Sequence, residues 1–195
     1  MPARRIVIRG NAARRIQRFD RAVDALFENH ARGRPIADRI FYGASAVGDH
    51  GLIWVMLGAL RGLRSGDHHW RAAVRVGIGV GVESVIVNAG VKSLFRRSRP
   101  VVVVPRPYPL RVPLTSSFPS GHATSAFCAA TLLSEGDPHL APLYFSAATV
   151  VALSRVHVKI HHGSDVAGGI LVGLALGQIG KRIVPLHPPP VAPAE

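Results

Sequence analysis

The segment SRVHVKIHHGSDVAGGILVGLALGQIGKRIV, from Ser154 to Val184, joins a polar cluster to a long apolar run. From Ser164 onward, the run has about the 20 residues that a helix needs to cross a membrane. Gly169 and Gly173 have the spacing at which small residues let two membrane helices pack closely. The segment therefore predicts a membrane helix with polar residues at its start. Close helix contacts are predicted at Gly168, Gly169, Gly173 and Gly177, and in an earlier segment at Gly77, Gly79, Gly81 and Gly90.

The composition of the whole chain agrees with a membrane protein. Apolar residues make up 48% of the 195 residues and charged residues 18%, against the roughly 25% charged residues of soluble domains. The apolar residues are grouped in blocks rather than spread evenly. This pattern predicts an all-α, integral-membrane helical bundle of about five spans. The predicted segments are about 36–63, 72–95, 122–134, 140–157 and 164–184.

The two ends of the chain differ from this membrane domain, which we expect to cover residues 36–184. Residues 1–35 are rich in arginine and carry apolar residues at helical spacing. They predict a basic amphipathic helix at the membrane interface or packed against the bundle. An ordinary solvated helix is the alternative. Residues 185–195 contain five prolines and predict a disordered tail.

The segment that begins at His122 is short for a membrane span. A helix from His122 to Gly136 covers roughly 22 Å, less than the hydrocarbon thickness of about 30 Å. Either this helix begins below the membrane surface or the bilayer is locally thin. The first possibility places His122 at the bottom of a shallow pocket.

The charge of the chain indicates an anionic partner. The formal net charge is +13, from 24 Lys and Arg against 11 Asp and Glu. The arginines flank apolar segments and do not form a stripe with interleaved aromatic residues, which makes nucleic acid an unlikely ligand and anionic lipid a better one. We therefore expect a membrane and an anionic lipid substrate as partners, and no nucleic acid. The oligomeric state is not predicted.

Three short patterns contain the groups that phosphate-ester chemistry needs. Arginine can hold a phosphate through paired N–H donors, and lysine adds a point charge. Glycine at a helix start lets backbone N–H groups approach an anion. The patterns are Lys92-(six residues)-Arg99-Pro100, then Pro119-Ser120-Gly121-His122, then Ser154-Arg155-(five residues)-His161-(three residues)-Asp165.

His161 and Asp165 form the most informative pair in these patterns. A carboxylate hydrogen-bonded to one imidazole nitrogen fixes the tautomer and leaves the other nitrogen free to attack phosphorus. The fixed cations Lys92, Arg99 and Arg155 argue against an additional divalent cation at the same site. We therefore expect no metal and no other cofactor.

Six further polar residues have weaker signals. We interpret Arg96 and Arg97 as cations that extend from the end of a membrane helix to its surface. Glu83 lies within a predicted span, where an ionisable residue is a functional candidate by default, but we expect it to serve as a partner in helix packing, together with Asn88. Asp49, with its neighbour His50, is expected at the depth of the pocket.

The three patterns together resemble the signature of the type 2 phosphatidic acid phosphatase superfamily, which includes lipid phosphatases, bacterial acid phosphatases and vanadium haloperoxidases. The resemblance covers about residues 90–170. It implies a helical bundle with the site at one membrane face, and hydrolysis through a phosphohistidine. The implied catalytic residues are His161 as nucleophile, Asp165 as the residue that orients it and His122 as the acid. The implied phosphate-binding residues are Lys92, Arg99, Ser120, Gly121 and Arg155.

One departure from the family pattern lies between His161 and Asp165. Many relatives have an aromatic residue and a proline there, whereas this chain has His162-Gly163-Ser164. The departure affects the fine positioning of the loop and leaves the implied catalytic set complete.

The resemblance leaves the lipid substrate open. Substrates in the family include phosphatidic acid, phosphatidylglycerol phosphate, polyprenyl pyrophosphate and polyprenyl-linked sugar phosphates. The Arg-, Ala- and Gly-rich composition is typical of a high-GC bacterium and favours a polyprenyl-linked substrate in the cell membrane. Two other interpretations remain: a non-catalytic protein that binds anionic lipid, and a vanadium haloperoxidase.

The membrane face of the site is also left open. With five spans, six of the 24 Lys and Arg residues lie on the face away from the site and the other 18 on the face that carries it. The positive-inside rule then favours the cytoplasmic face. Many members of the family work on the outer face, so the two indications disagree.

Overall fold

The computed structural model describes residues 10–63, 67–102 and 105–186, and every regular element in these ranges is helical. Most of the predicted tail and the first nine residues of the predicted N-terminal helix lie outside the described residues. The α-helices are α1 Asn11–His30, α2 Pro35–Val47, α3 Leu52–Gly62, α4 Asp67–Val85, α5 Lys92–Leu94, α6 Gly121–Gly136, α7 Ala141–His157 and α8 Gly163–Ile183.

The last three predicted segments agree closely with the structure, because α6, α7 and α8 begin and end within two residues of them. The segment predicted at 36–63 is instead broken into α2 and α3, which meet at 71°. A 3₁₀ turn, Asp49–Gly51, joins them, and Gly51 has φ 68°. This left-handed conformation suits glycine and ends the straight run of helix that the apolar pattern predicted.

The described helices include two that are long and apolar enough to cross a membrane, His69–Leu94 and Gly163–Ile183. The bent pair α2 and α3 counts as a third span if its two helices cross together. The first of these spans is continuous because a π-helix, Ile86–Val91, joins α4 to α5. The all-helical membrane architecture is therefore present, whereas the number of five spans stays a prediction.

Helix α6 lies at the centre of the bundle and packs most closely on α8. Glycine has no Cβ atom, and a larger residue would not fit here. A Cβ atom added at Gly173 would lie only 2.4 Å from the carbonyl oxygen of Thr124, and one added at Gly177 only 2.6 Å from Cβ of Thr131. The predicted close contacts at Gly169, Gly173 and Gly177 are confirmed. Those predicted at Gly77, Gly81 and Gly90 are wrong, because a Cβ atom there meets nothing within 4 Å among the described residues.

The seam between α6 and α8 also aligns the starts of these two helices. A Cβ atom at Gly169 lies 2.7 Å from the carbonyl oxygen of Ser120, so only glycine fits this approach. The backbone N–H of Ser120 donates to the carbonyl oxygen of Asp165 over 3.0 Å. Two motifs that are far apart in sequence therefore meet at one end of the bundle.

Helix α1 packs beside the start of α8. Its Asp20 is buried, and Oδ1 of Asp20 accepts the backbone N–H of Ser164 over 2.8 Å. A Cβ atom at Gly163 lies 3.0 Å from Val23 of α1. Arg32, just after α1, donates to the carbonyl oxygen of His157 over 2.9 Å at the end of α7. The N-terminal segment thus braces the loop that connects α7 to α8.

Candidate active site

The start of α6 brings Gly121 next to the lysine of the first motif. A Cβ atom at Gly121 lies 3.5 Å from Nζ of Lys92, so the helix start and the ammonium group are close neighbours. The hydroxyl oxygen Oγ of Ser120 is buried and has no hydrogen-bond partner among the described residues. The free N–H groups of the helix start and this hydroxyl are suited to an anion.

The π-helix positions Lys92. Nζ of Lys92 donates to Oδ1 of Asn88 over 2.9 Å, and Nδ2 of Asn88 donates to Oγ of Ser84 over 3.1 Å. Short π-helical segments are frequent at functional sites. The predicted pairing of Asn88 with Glu83 is wrong, because Asn88 instead links Lys92 to Ser84.

The end of α7 supplies Arg155 and turns the chain toward the histidine. Lys159 adopts a left-handed conformation, with φ 52°, and the backbone N–H groups of Ile160 and His161 both donate to the carbonyl oxygen of Arg155, over 3.1 and 3.0 Å. This is the arrangement in which helices commonly terminate. Nη1 of Arg155 donates to Oγ of Ser45. Nε and Nη2 of this buried arginine have no partner among the described residues.

Arg99 is held by backbone carbonyl groups on both sides of the site. Nε donates to the carbonyl oxygen of Pro113 and Nη1 to that of Ile160, each over 3.0 Å. Nη1 of Arg99 also lies 3.3 Å from Nε2 of His161. The proline-rich connection between α5 and α6 therefore serves as a frame that fixes the guanidinium group beside the imidazole.

His161 faces Asp165 with Ser117 between them. Nδ1 of His161 and Oδ2 of Asp165 are 3.7 Å apart, too far for the direct hydrogen bond that the sequence predicts. Oγ of Ser117 lies 3.4 Å from Nδ1 and donates to Oδ2 over 2.6 Å. Backbone N–H of His162 donates to the same Oδ2 over 2.8 Å. A hydroxyl group thus connects the imidazole to the carboxylate.

Arg97 corrects one interpretation from the sequence. It is not a cation extended to the membrane surface, because Nη1 donates to Oδ1 of Asp165 over 2.6 Å and to Oγ of Ser164 over 2.7 Å. Nη2 of Arg97 forms an ion pair with Asp20 of α1. Two buried carboxylates from different helices therefore share one guanidinium group beside the imidazole.

His122 lies in the first turn of α6 and lines the same cavity as His161. Its Nε2 is 3.1 Å from Oδ1 of Asp49 and 3.1 Å from the carbonyl oxygen of Ser45. A Cβ atom at Gly48 would lie 2.9 Å from the imidazole ring, so glycine gives the ring its space. The expected position of Asp49 near the depth of the pocket agrees with this contact. The side chain of His50 lies outside the described residues.

These groups surround a cavity of about 290 Å³. Lys92, Gly121, His122 and His161 line it, and the charges of Arg99 and Arg155 act on Lys92 at close range. The structure therefore brings all eight predicted site residues to one end of the bundle. Glu83 also lines the cavity, and the expectation that it serves only to pack helices does not agree with this position.

The electrostatics of the site favour a neutral imidazole. Burial, reinforced by the nearby charges of Arg155 and Arg99, lowers the pKa of His161 to about 3, although Asp165 acts in the opposite direction. Burial also lowers the pKa of Arg99, although the nearby Asp165 carboxylate acts in the opposite direction. A neutral imidazole has a free electron pair, which a nucleophile requires.

The comparison with protein families agrees with this geometry. The model of the PAP2 superfamily matches residues 72–188. The chain belongs to the PAP2 superfamily. This match includes all three motifs, and the resemblance stated from the sequence is confirmed.

Known proteins place this PAP2 chain among membrane lipid phosphatases. It is 34% identical over 172 residues to decaprenylphosphoryl-5-phosphoribose phosphatase of Mycobacterium tuberculosis, covering 86% of this chain and 92% of that protein. The crystal structure of Aquifex aeolicus LpxE has a TM-score of 0.66 and 26% identity, covering 83% of this chain and 93% of that one. The prediction of a lipid-phosphate hydrolase in a membrane is confirmed.

A second solved structure shares the fold. The transmembrane PAP2-type phosphatidylglycerolphosphate phosphatase of Bacillus subtilis has a TM-score of 0.61 and 24% identity, covering 90% of this chain and 88% of that one. At this identity the likeness shows the fold alone. Two helices of the described residues are themselves long and apolar enough to cross a membrane, which agrees with an integral membrane protein.

Sequence reasoning on this PAP2 protein missed several residues of the site. Ser117 stands in a proline-rich connection with no periodic pattern, and Ser45 lies in an apolar helix. Asp20 belongs to an arginine-rich segment where a carboxylate is an ordinary ion-pair partner. The one available signal was Arg97, which lies two residues before the arginine of the first motif.

Proposed function

We propose that this PAP2 protein removes the phosphate from a polyprenyl-linked sugar phosphate through a phosphohistidine intermediate on His161, without a metal ion. The relative in Mycobacterium tuberculosis supports the substrate class, because its name specifies a phosphoribose linked to a polyprenyl phosphate and nearly all of its length is covered. One observation supports the chemistry above all: buried, unpaired donors on Arg155 and Ser120 lie beside a neutral imidazole.

The hydrogen bonds around His161 set its tautomer. The Ser117 hydroxyl donates its hydrogen to Oδ2 of Asp165, so its oxygen is free to accept a hydrogen from Nδ1 of His161, 3.4 Å away. Nδ1 then carries the proton and Nε2 keeps its electron pair. Nε2 attacks phosphorus, and the P–O bond to the leaving sugar breaks.

The cations hold the phosphate during this step. Arg155 offers Nε and Nη2, Ser120 its hydroxyl, and Gly121 its backbone N–H, while Lys92 and Arg99 add positive charge. These fixed donors stabilise the extra negative charge on the equatorial oxygens of the transition state. They provide the charge that a divalent cation supplies in other phosphatases.

His122 is proposed to protonate the leaving oxygen. Its Nε2 lies 3.1 Å from Oδ1 of Asp49, and this carboxylate favours the protonated imidazole, whereas burial of the ring disfavours it. After the sugar departs, neutral His122 accepts a proton from water, which attacks the phosphohistidine. The P–N bond breaks, inorganic phosphate leaves, and His122 is again protonated for the next cycle.

Rapid quenching in alkaline detergent, with ³²P-labelled substrate, tests this mechanism on purified protein. The wild type should release phosphate and form a phosphoenzyme that is labile in acid and stable in base. His161→Ala should do neither while still binding the lipid. His162→Asn is the matched control, because asparagine can also cap the start of α8, and it should keep its activity.

The same preparation separates the rival functions. A non-catalytic lipid-binding protein releases no phosphate even as the wild type. A vanadium haloperoxidase oxidises halide once vanadate and hydrogen peroxide are added, whereas the proposed phosphatase is only inhibited by vanadate. A panel of phosphatidic acid, phosphatidylglycerol phosphate, polyprenyl pyrophosphate and a polyprenylphosphoryl pentose phosphate ranks the substrates by kcat/KM. The proposal requires the pentose phosphate to rank first.

We further propose five spans, formed by α2 with α3, α4 with α5, α6, α7 and α8, within the domain 36–184. Residues 1–35 then lie at the membrane surface as an amphipathic helix, and residues 185–195 form a tail. The charge distribution favours the cytoplasmic face of a bacterial cell membrane for the site. Labelling of a single cysteine introduced at Arg96 in sealed cells, with Cys128→Ala as background, tests this orientation. Labelling by a membrane-impermeant reagent from outside would contradict it.

A further inference from the structure

Glu83 is a buried carboxylic acid that the proposed mechanism does not use. Its side chain is 3% exposed, and it has no hydrogen bond or ion pair among the described residues. It lies on α4 within a helix that is long and apolar enough to span a membrane. An unpaired buried carboxyl group has a high free-energy cost, and ionisable residues within membrane helices mark substrate pathways.

The position of Glu83 indicates what it faces. It lines the cavity of about 290 Å³ together with His122, Lys92 and His161. No protein donor among the described residues forms a hydrogen bond with its carboxyl oxygens. By contrast, Asp49 on the same cavity contacts His122 over 3.1 Å. Glu83 therefore offers hydrogen-bond acceptors to a molecule within the active-site cavity.

The donors around the phosphate restrict the part of the substrate that Glu83 meets. The phosphate oxygens are acceptors, and the buried, unpaired donors of Arg155 and Ser120 are available to them, so the phosphate does not need the acceptor oxygens of Glu83. The group that remains in the cavity is the alcohol from which phosphate is removed. A diacylglycerol leaving group has no free hydroxyl to donate, whereas a sugar has several.

We propose that Glu83 forms a hydroxyl-binding subsite that selects a sugar as the leaving group. This inference rests on the proposed function and names the residue that distinguishes a polyprenyl-linked sugar phosphate from phosphatidic acid. The Glu83 carboxyl group accepts hydrogen bonds from hydroxyls of the pentose ring. A site built to bind a hydroxyl strongly disfavours analogues that lack it, because its buried polar group is then left unpaired.

A structural role for Glu83 predicts a different pattern. The Lys92 ammonium group acts electrostatically on Glu83, so the carboxylate could also serve to hold that lysine. Lys92 binds the phosphate, which every substrate has. Loss of Glu83 would then reduce the hydrolysis of all substrates equally. Selective loss with hydroxyl-bearing substrates separates the two roles.

The test compares Glu83→Leu and Glu83→Gln with the wild type in detergent. The substrates are a short-chain polyprenylphosphoryl pentose phosphate, its analogue without ring hydroxyls, and dioctanoyl phosphatidic acid. Val85→Leu is the matched control, because this residue is two positions along α4 and is 66% exposed. It should leave all three rates unchanged.

The inference predicts that Glu83→Leu lowers kcat/KM for the pentose phosphate by about 10- to 100-fold, the usual cost of leaving a buried hydrogen-bonding group without its partner. The rates with the two hydroxyl-free substrates should change less than about threefold, and Glu83→Gln should retain part of the preference because its amide oxygen still accepts. The wild type itself should prefer the pentose phosphate to its hydroxyl-free analogue, and this comparison does not depend on whether a variant folds. Equal losses with all substrates, or no loss, would overturn the inference.

Failure of the proposed function gives a different result. If the wild type hydrolyses phosphatidic acid or phosphatidylglycerol phosphate but not the pentose phosphate, the proposed substrate is wrong. The subsite is then tested on phosphatidylglycerol phosphate, whose leaving glycerol has a hydroxyl group, against phosphatidic acid. A selective loss with the former in Glu83→Leu supports the subsite, and an equal loss overturns it.

Discussion

Ser117 stands between His161 and Asp165. Its hydroxyl lies 2.6 Å from Oδ2 of Asp165 and 3.4 Å from Nδ1 of His161, whereas the imidazole and carboxylate are 3.7 Å apart. The carboxylate therefore orients the imidazole through a hydroxyl group. Ser117 is fully buried and helps to position the imidazole of His161. Neither the motifs nor their spacing indicate this role.

Replacement of Ser117 by alanine tests this bridge. Ser117→Ala should lower kcat by about fivefold to tenfold, the effect of one net hydrogen bond, because Nδ1 of His161 loses its acceptor. KM for the lipid should change little, since the phosphate donors remain. Steady-state rates in detergent measure both values, and Ser117→Thr, which keeps a hydroxyl, should recover part of kcat.

Ser98→Ala is the control for Ser117→Ala, because its hydroxyl group lies on an exposed residue of the same connection. It should retain the kcat of the wild type. A direct hydrogen bond between His161 and Asp165 in the working enzyme would instead leave Ser117→Ala at full activity.

The second prediction concerns the ion pairs of Arg97. Loss of its side chain leaves Asp165 and Asp20 without their shared cation, and unpaired buried charges are strongly destabilising. Arg97→Ala should therefore reduce kcat by at least about tenfold and lower thermal stability. Arg97→Lys should recover only part of both, because lysine cannot bridge two carboxylates through a planar group.

Arg96 provides the comparison for Arg97. The two residues are adjacent and carry the same charge, but Arg96 is exposed. Arg96→Ala should keep activity and melting temperature near those of the wild type. If both alanine variants behave alike, the effect is one of net charge at the membrane surface and the positioning role of Arg97 is wrong.

These two residues show how far the sequence predicts the site. The eight predicted residues have chemistry that their types reveal, such as the paired donors of Arg155, and they come together at one end of the bundle. Ser117 and Arg97 act through contacts 44 and 68 residues away along the chain. Such contacts depend on how helices and loops pack, which local spacing does not encode.

The sequence also predicts some parts of the fold and misses others. Helices α6, α7 and α8 follow their apolar segments because proline, glycine or polar residues end each run. The bend between α2 and α3 is different, because the sequence there remains apolar on both sides. The chain turns at Gly48-Asp49-His50-Gly51, where Gly51 is left-handed, and glycine alone does not indicate such a turn because it is also frequent within membrane helices.

The third prediction uses the pKa of His161. An unfolded histidine has a pKa of about 6.5, whereas that of His161 in the folded protein is about 3. Between these values the unfolded chain binds a proton that the folded protein does not, so stability falls as pH decreases. From pH 7 to pH 5 this residue alone should cost about 2 kcal/mol.

Thermal unfolding in detergent at pH 7 and pH 5 measures this effect. His161→Gln has no group that titrates in this range, so it should lose less stability than the wild type over the same interval. The difference between the two proteins isolates His161 from the other histidines of the chain. An equal loss in both proteins would mean that folding does not lower the pKa of His161.

The last prediction concerns the seam between α6 and α8. A methyl group at Gly173 lies 2.4 Å from the carbonyl oxygen of Thr124, closer than any Cβ contact allows. Gly173→Ala should push the helices apart and lower both thermal stability and kcat, because Ser120 and His122 on α6 then move relative to Asp165 on α8. Overpacking of this kind costs about 1–3 kcal/mol.

Gly77→Ala makes the same chemical change at a position with space. A Cβ atom there meets no described residue within 4 Å, and alanine favours a helix over glycine by about 1 kcal/mol. Gly77→Ala should therefore keep its activity and melt at the same or a higher temperature. If Gly173→Ala also retains full kcat while melting lower, the seam stabilises the bundle without setting the distance between the two halves of the site.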